Sequence, residues 1–303
     1  MLETVKYNNI EISKLALGTV QFGLEYGISN VNGKPSQKEV NEIIDFVKNK
    51  GLNCLDTAQS YGNSESVIGV SIENNNNFHI ISKMNSDNFD LNLIDSINSS
   101  FKKLKKNSIF ALLLHDSKLL YHWDSGQDEK VNFLKKQNMI TYFGVSIYTN
   151  DDFELALKNE SINLIQIPYN IFDQRALLFD WFKKAKKYNK LIFIRSIFLQ
   201  GLLLMDSNEG EKKVFGAQKY IKELDFFCKE YNLSRSELAL SFVYSTCDES
   251  IMLFGSETLK QVKENINNFE NMNQLDKKIQ NELIENFMHI NESIFNPTKW
   301  EKK

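Results

Sequence analysis

The sequence predicts an α/β protein whose single domain is a (β/α)8 TIM barrel with a short N-terminal β-hairpin cap. Eight short apolar segments are each followed by a segment of helical period, at spacings near the roughly 30 residues of a βαβ unit. Such alternation indicates parallel strands that are buried on both faces. The chain has 303 residues, a length that one α/β barrel reaches, and no linker or change in composition marks a second domain.

A doubly wound sheet is the main alternative architecture. It would usually carry a glycine-rich phosphate-binding turn after an early strand, whereas Gly18-Thr19-Val20-Gln21-Phe22-Gly23 does not match the GxGxxG pattern. The count of eight strand–helix units also favours a closed barrel. We therefore divide the one domain, 1–303, into a hairpin at 1–13, the barrel at 14–270 and a C-terminal helix and tail at 271–303.

The strands are predicted from apolar runs that are bounded by turn residues. The hairpin is predicted at 5–12, where apolar and polar residues alternate about Asn8-Asn9. The barrel strands are predicted, in chain order, at 14–19, 53–58, 78–83, 109–115, 141–146, 162–168, 191–196 and 251–255.

The helices are predicted from apolar stripes and capping signals. Ser36 and Glu39 have the spacing of a capping box before the first stripe, and Gly51 lies where a C-terminal cap is expected. Further helices are predicted at 64–72, 91–104, 131–137, 151–158 with Asn150 as the N-cap, 181–188, 218–231, 236–245 and 259–269, and a last stripe comprises Ile279, Leu283, Phe287 and Ile290. Polar segments at 74–77 and 206–216 are predicted to be loops.

Composition and charge exclude several functional classes. A hydrophobic fraction of 42% indicates a sizeable core, and a formal net charge of -3 argues against broad attraction to nucleic acid or anionic lipid. Cys54, Cys228 and Cys247 form neither a disulfide framework nor a zinc motif, so no metal site is predicted. The chain has no apolar run of about 18 residues and no signal-like N-terminus. We expect a cytoplasmic protein with no nucleic-acid or membrane partner, and the sequence leaves the oligomeric state open.

The most informative stretch is Leu55-Asp56-Thr57-Ala58-Gln59-Ser60-Tyr61-Gly62-Asn63-Ser64-Glu65. It places Asp56 at the end of a buried strand and Tyr61 on the loop that follows. The next two strands end on Lys83 and His115. Because the carboxyl ends of barrel strands meet at one mouth, we expect these four side chains to converge there.

The four residue types suit proton transfer to a carbonyl oxygen. A phenol is a poor acid at neutral pH, with an ordinary pKa of about 10, and a nearby ammonium lowers that pKa. Tyr61 and Lys83 supply this pair, and Asp56 would keep the buried ammonium charged. His115 would donate a hydrogen bond as negative charge develops on the oxygen. Such a set is suited to protonating the alkoxide that hydride addition to a carbonyl produces.

From about Lys14 to Phe269, the chain resembles the aldo-keto reductase superfamily. The residues that carry the resemblance occur in the family's order: Leu17-Gly18-Thr19 with Phe22-Gly23, Leu55-Asp56-Thr57-Ala58 with Tyr61-Gly62 and Ser64-Glu65, Ser82-Lys83, Leu114-His115, Gly144-Val145-Ser146, Gln166-Ile167-Pro168-Tyr169-Asn170, Gly201-Leu202-Leu203, and Gly255-Ser256 with Glu264-Asn265. The resemblance implies that Tyr61 is the general acid, that Lys83 and Asp56 tune it, and that His115 orients the carbonyl.

The resemblance also implies a bound NADPH, with NADH as the alternative. Thr19, Ser146, Gln166 and Asn170 match the positions around the nicotinamide and its ribose. Ser196, Leu199 and Gly201 match the segment along the pyrophosphate. Gly255, Ser256, Gln261, Glu264 and Asn265 match the loop and helix start that hold the adenosine phosphates, which agrees with the preference of anions for a helix N-terminus.

The sequence departs from many relatives at three places. Ile147 stands where an Asn often contacts the carboxamide. Arg195 stands where an aromatic ring often stacks on the nicotinamide, so it is interpreted either as a stacking or anion-binding group or as a partner in a structural salt bridge. Gly255 and Gln261 replace basic residues that often grip the adenosine 2′-phosphate, with Glu257 between them.

Two further segments, 23–35 and 195–201, resemble bacterial members found among surface-polysaccharide and sugar-biosynthesis genes. This resemblance implies a small-molecule carbonyl substrate that is a keto-sugar or a nucleotide-linked sugar. Candidates for lining its pocket are Tyr26, Trp123, Phe172, the loop at 206–216 and Trp300 in the tail. The alternatives are a cofactor-binding regulatory or scaffold protein, as the potassium-channel beta subunits of this superfamily illustrate, and an enzyme that works mainly as a dehydrogenase, epimerase or lyase.

Overall fold

The structure is a computed structural model that describes residues 2–73, 77–247 and 249–300. Eight parallel strands close into a barrel in the order β10-β3-β4-β5-β6-β7-β8-β9, with β9 paired to β10. The strands are β1 (Thr4–Tyr7), β2 (Ile10–Ser13), β3 (Leu15–Gly18), β4 (Cys54–Asp56), β5 (His79–Met84), β6 (Ile109–Leu114), β7 (Ile140–Ser146), β8 (Leu164–Pro168), β9 (Leu191–Arg195) and β10 (Ile251–Gly255). The predicted barrel is therefore confirmed. Positions 1, 74–76, 248 and 301–303, including most of the predicted 74–77 loop, lie outside the described residues.

The hairpin β1–β2 covers the amino-terminal end of the barrel. Asn8 and Asn9 have φ of 44° and 69°, as a two-residue turn between antiparallel strands requires. Tyr7 is buried, its ring lies against Tyr142, and its hydroxyl donates to the Asn189 carbonyl at 2.9 Å. The hairpin side chains thereby belong to the same apolar cluster as the inward-facing strand residues. One end of the barrel is closed in this way, while the carboxyl ends of the strands remain accessible.

Helices surround the barrel and bury a second, larger apolar cluster against the strands. They are α1 (Val20–Gly23), α2 (Gln37–Asn49), α3 (Ser64–Ser71), α4 (Ser86–Leu91), α5 (Leu93–Leu104), α6 (Ser125–Lys136), α7 (Asn150–Lys158), α8 (Arg175–Leu178), α9 (Trp181–Lys187), α10 (Ser207–Lys213), α11 (Gln218–Glu230), α12 (Arg235–Thr246), α13 (Leu259–Asn271), α14 (Lys277–Phe287) and α15 (Glu292–Phe295). Short 3-10 helices lie at Lys118–His122, Leu199–Leu204 and Pro297–Lys299.

Local predictions were wrong at two places. The N-cap of α7 is Thr149 rather than Asn150, because the Thr149 hydroxyl accepts from the Asp152 backbone at 3.1 Å in a reciprocal capping box. The 206–216 segment is not all loop, since it contains α10, with Asp206 as its cap. That helix has few apolar residues, so it leaves no apolar stripe in the sequence.

The C-terminal segment packs on the outside of the barrel. In α14, Leu283 and Phe287 are fully buried, and the Phe287 ring contacts Phe172 and Phe227. The Trp300 indole donates to the Ile294 carbonyl at 3.1 Å. The predicted C-terminal helix is confirmed. Among helices of the described residues, none is long and apolar enough to cross a membrane.

Candidate active site

A cavity of about 680 Å³ opens at the carboxyl ends of the barrel strands. This volume lies in the range of small-molecule sites, and the position is where TIM barrels carry their active sites. At one end the lining contains three of the four predicted catalytic residues, Asp56, Tyr61 and His115. At the other end it contains glycines and amide side chains from the loops after β9 and β10.

Asp56 and Lys83 form a buried ion pair beneath the cavity. Lys83 Nζ lies 2.5 Å from Asp56 Oδ1 and 3.0 Å from the Thr57 carbonyl oxygen, which accepts a second hydrogen bond. The other carboxylate oxygen, Oδ2, accepts from Gln166 Nε2 at 2.8 Å. A buried charge is tolerated when it is paired and hydrogen-bonded, and both charges here meet that condition. Burial by itself would lower the pKa of Lys83, but Asp56 and Tyr61 outweigh it and raise that pKa.

Tyr61 lies above this pair, with its hydroxyl 3.5 Å from Lys83 Nζ. Its loop turns sharply at Gly62, where φ is +54° and a Cβ would lie 2.4 Å from the Gly23 carbonyl oxygen. Only glycine fits that position, so the close approach to α1 fixes the loop. Burial raises the pKa of Tyr61, and Lys83 lowers it as expected but by less than burial raises it. The phenol is therefore protonated at neutral pH and holds a proton to donate.

His115 follows β6 and faces Tyr61 across the mouth. Their rings meet edge to face, with centroids 5.5 Å apart and an interplanar angle of 79°. Burial, and then the positive charges of Lys83 and Arg195, lower the pKa of His115 to about 4. The imidazole is therefore neutral at neutral pH and carries one N–H. Its Nδ1 lies 2.9 Å from the hydroxyl of Ser60, a residue that the sequence analysis did not single out.

Three predicted cofactor residues lie beside these four at the cavity wall: Thr19, Ser146 and Gln166. The Thr19 hydroxyl donates to the Asp56 carbonyl at 2.9 Å and lies 3.0 Å from Ser64 Oγ. Ser146 ends β7 next to Gln166 in the sheet register. The structure thus brings these residues together with the predicted catalytic group.

Two other predicted cofactor residues do not line the cavity. Asn170 is fully buried, donates to the Ser196 carbonyl at 3.0 Å and accepts from the backbones of Phe172 and Asp173. Leu199 is buried in the 3-10 helix that follows β9. Asn170 therefore joins the loops after β8 and β9, and Leu199 packs inside the loop whose other members reach the cavity.

Arg195 lines the cavity at the end that contains the predicted catalytic residues Asp56, Tyr61 and His115, which we call the catalytic end. Its guanidinium lies 4.2 Å from the centroid of the Tyr148 ring, and Nη2 donates to the Ile147 carbonyl at 3.1 Å. No carboxylate pairs with Arg195 among the residues that the structure describes, so the salt-bridge interpretation finds no partner there. Tyr148, which the sequence analysis also missed, holds the cation in place by stacking.

The far end of the cavity is lined by Ser196, Gly201, Gly255, Ser256, Gln261, Glu264 and Asn265, all of which were predicted as cofactor residues. Gln261 Oε1 accepts from the Glu257 backbone at 2.8 Å, and Asn265 donates to Ser256 Oγ at 3.2 Å. The Glu257 carboxylate is buried and accepts from Asn32 at 2.8 Å. Lys260 lies outside the cavity, with a side chain that is 85% exposed and 3.8 Å from Glu264.

Two observations at this end fit an extended polar ligand such as a dinucleotide. Gln21 Oε1 is buried in the cavity wall without a hydrogen-bond partner, so a ligand donor would satisfy it. Gly255 and Gly201 let the wall come close, because a Cβ would lie 2.7 Å from Gln21 Oε1 and 1.8 Å from Ser29 Oγ, respectively. The loops of this end thus form a narrow cleft whose wall contains one unpartnered acceptor, Gln21 Oε1.

Of the residues and segments predicted to line the substrate pocket, one lies in the cavity wall and the others do not. Tyr26 lines the cavity. Trp123 instead packs against Phe89 and Phe143 and donates to Asp128, while Phe172 is buried. Trp300 and the 206–216 segment are not in the cavity wall either. The described ranges contain no cluster of side chains that could hold a metal ion.

Comparison with known proteins gives a family match over most of the chain. Residues 14–285 match the model of the aldo/keto reductase family. The chain is 22% identical over 282 residues to the uncharacterized oxidoreductase YqkF of Bacillus subtilis (strain 168), a match that covers 86% of this chain and 88% of that protein.

Solved structures share the fold at low identity. The aldo-keto reductase AKR11C1 from Bacillus halodurans, in its holo form, matches with a TM-score of 0.78 at 17% identity, covering 94% of this chain and 96% of that chain. An aldo/keto reductase from Klebsiella pneumoniae in complex with NADP and acetate matches with a TM-score of 0.72 at 16% identity, covering 95% and 96%. The glycerol dehydrogenase AKR11B4 from Gluconobacter oxydans matches with a TM-score of 0.72 at 18% identity, covering 94% and 95%.

The family model spans the whole barrel and the mouth at which the four polar residues meet. The chain therefore belongs to the aldo/keto reductase family and is an NAD(P)-dependent oxidoreductase.

Proposed function

We propose that the protein reduces the carbonyl group of a sugar derivative with NADPH, and that Tyr61 is the general acid. The observation that carries this proposal is the geometry beneath the phenol, where Lys83 Nζ lies 3.5 Å from the Tyr61 hydroxyl and 2.5 Å from Asp56. A protonated phenol beside a fixed cation is suited to giving up its proton in a transition state.

NADPH, when bound, supplies the hydride that adds to the carbonyl carbon. As the carbonyl electron pair moves to oxygen, that oxygen takes the Tyr61 proton, and the product is an alcohol. The phenolate that remains is stabilised by the Lys83 ammonium, which Asp56 holds in place. His115 donates its N–H to the same oxygen, and a neutral imidazole suits this role because it does not compete with Tyr61 as an acid.

In this proposal the cofactor would extend along the cavity from the catalytic residues to the far end. Its nicotinamide end would lie among Thr19, Ser146, Gln166 and Arg195, and its phosphates along Ser196, Gly201, Gly255, Ser256, Gln261, Glu264 and Asn265. Asn170 and Leu199 would act indirectly, by shaping the loop that carries Ser196 and Gly201. The Klebsiella pneumoniae relative was solved with NADP, which supports NADPH over NADH.

A sugar derivative fits the chemistry of the catalytic end. Beyond the four central residues, the wall offers hydroxyl and guanidinium groups from Tyr26, Tyr148 and Arg195. Such groups hydrogen-bond substrate hydroxyls, and a site built for hydroxyls rejects analogues that lack them. The glycerol dehydrogenase of Gluconobacter oxydans has the same fold, which supports a polyhydroxylated substrate. We place the reaction in the cytoplasm, within the synthesis of surface polysaccharides or related sugars.

Cofactor binding and turnover test the proposal together. The purified protein is titrated with NADPH and NADH by fluorescence quenching, and each cofactor is then offered to a panel of keto-sugars and nucleotide-linked keto-sugars. We expect tight NADPH binding and its oxidation by one or more panel members. Binding without oxidation by any carbonyl compound would favour the scaffold alternative, and oxidation of simple aldehydes alone would contradict the sugar substrate.

A further inference from the structure

Ser60 and Tyr61 are neighbours in the chain but reach different members of the active site. The Tyr61 hydroxyl faces Lys83, whereas Ser60 Oγ lies 2.9 Å from His115 Nδ1. In the described residues, His115 Nδ1 is the only hydrogen-bond partner of the Ser60 side chain. The loop after β4 therefore carries Tyr61 and contacts His115, the two groups that would donate to a carbonyl oxygen.

We propose that Ser60 is a positioning residue that fixes the tautomer of His115: its hydroxyl donates to Nδ1 and so keeps the imidazole proton on Nε2, where it faces the substrate oxygen. This inference rests on the proposed function, because the role of the Nε2 proton is to stabilise negative charge on that oxygen. The hydrogen bond at one ring nitrogen of a histidine decides which nitrogen carries the proton.

Hydrogen bonds of the residues on either side of Ser60 hold its loop in place next to His115. The Gln59 backbone donates to the Lys83 carbonyl at 3.0 Å, and its side-chain amide donates to the Ser96 carbonyl at 3.0 Å and to Ser100 Oγ at 2.9 Å. Directly after Ser60, the Tyr61 backbone donates to the Ala58 carbonyl at 3.1 Å. These contacts fix the backbone on both sides of Ser60, at a position from which its exposed hydroxyl reaches the His115 ring at 2.9 Å.

The tautomer matters because His115 is neutral in this site. Burial and the cations Lys83 and Arg195 lower its pKa to about 4, and Asp116 opposes them without restoring the ordinary value. A neutral imidazole has one N–H and one lone pair. With the proton on Nδ1, Nε2 would present its lone pair to the carbonyl oxygen and repel it. Among the described contacts no protein group occupies Nε2, which leaves it for a ligand.

Nitrogen NMR tests the proposal without any substrate. Long-range proton–nitrogen correlation spectra report which ring nitrogen carries the proton, and His115→Gln identifies the His115 signals by their loss. At neutral pH we expect the Nε2–H form in the wild-type protein and in Ser60→Thr, which keeps the hydroxyl. Ser60→Ala should give a mixture of both tautomers. A wild-type Nδ1–H form, or an unchanged tautomer in Ser60→Ala, would overturn the proposal.

Turnover gives the second readout once a carbonyl substrate is identified. Ser60→Ala should lower kcat by about fivefold to tenfold, the worth of one hydrogen bond, with a smaller change in KM. Ser60→Thr should restore most of kcat. Equal losses in Ser60→Ala and Ser60→Thr would show that the hydroxyl is not the cause and would contradict the proposal. Because the NMR measurement needs no turnover, a failed search for a carbonyl substrate would count against the proposed function and not against this inference.

Discussion

The two ends of the cavity are built in different ways. At the catalytic end, charged and polar groups are already paired with one another, as in the 2.5 Å contact between Lys83 and Asp56. At the other end, the wall contains glycines, amides, serines and carboxylates, and a hydrogen bond from Asn32 to the wall residue Glu257 joins segments far apart in the chain. Gln21 Oε1 at this end remains without a partner. The polar groups of the first end are therefore paired within the protein, whereas the second end retains a buried acceptor, Gln21 Oε1, for which the described residues supply no donor.

This difference predicts different consequences of substitution. A buried charge whose partner is removed cannot be solvated, so changes at the catalytic end should reduce activity or stability strongly. The far end of the cavity, where the proposal places the cofactor phosphates, is called the nucleotide end below. Changes there should chiefly weaken cofactor binding, because each loop contact contributes one hydrogen bond or one close approach. Variants at each end therefore test whether the two ends have separate roles.

The largest effect is expected for Tyr61→Phe. Removing the hydroxyl removes the proposed general acid, and such a group typically contributes about 10² to 10⁴ in rate. We expect kcat with the identified keto-sugar to fall within that range while the Kd for NADPH stays nearly constant. Tyr188→Phe is the matched control, since Tyr188 is 46% exposed and lies outside the cavity. Equal turnover in Tyr61→Phe and the control would contradict the proposed role.

Asp56→Asn should destabilise the fold as well as the reaction. It leaves the Lys83 ammonium buried without its counter-ion, and breaking a buried pair in this way costs about 3–5 kcal/mol. Denaturant unfolding measures the loss. Asp180→Asn removes one partner of a pair whose side chains are 86% and 60% exposed, and it should cost less than about 1 kcal/mol. Equal free energies of unfolding for the two variants would contradict the expected contribution of the buried Asp56–Lys83 pair to stability.

A smaller and more selective effect is expected for Gly201→Ala at the nucleotide end. Its φ is +92°, and the new Cβ would lie 1.8 Å from Ser29 Oγ, so the loops on that side of the cleft must shift. We expect the Kd for NADPH to rise about tenfold, which corresponds to strain of about 1–3 kcal/mol that is only partly relieved.

Gly216→Ala separates strain from binding in that experiment. Gly216 has a φ of +83°, but its added Cβ would make an ordinary 3.5 Å contact with Ile294 outside the cavity. It should lower thermal stability through its positive φ alone, the strain that it shares with Gly201→Ala, and leave the Kd for NADPH unchanged. A matching rise in Kd in both variants would show that the cleft responds to general destabilisation instead of to the contact with Ser29.

The same contrast explains which features the sequence could predict. Asp56, Lys83 and His115 lie at the carboxyl ends of consecutive strands. Barrel geometry brings consecutive strand ends together, so their convergence could be predicted from chain order alone. The Ser60–His115, Tyr148–Arg195 and Asn32–Glu257 contacts depend on loop conformations that no periodicity encodes. Asn170 matched a cofactor position, yet its side-chain amide hydrogen-bonds to the backbone of Ser196 and Phe172 in neighbouring loops. The direction of the Tyr61 pKa also needed the structure, since it depends on how far the phenol is buried.

The pH dependence of kcat/KM for carbonyl reduction tests the central claim most directly. In the proposed mechanism, protonated Tyr61, with its pKa raised above the ordinary value of about 10, is the form that donates. Neutral His115, with a pKa of about 4, is the form that orients the carbonyl. We therefore predict constant kcat/KM across the neutral range, with loss only in strong alkali as Tyr61 ionises, and in acid near pH 4 as His115 is protonated. A break near pH 6.5, where an ordinary histidine titrates, would contradict the account, because it would mean that a group other than Tyr61 and His115 controls the proton transfer.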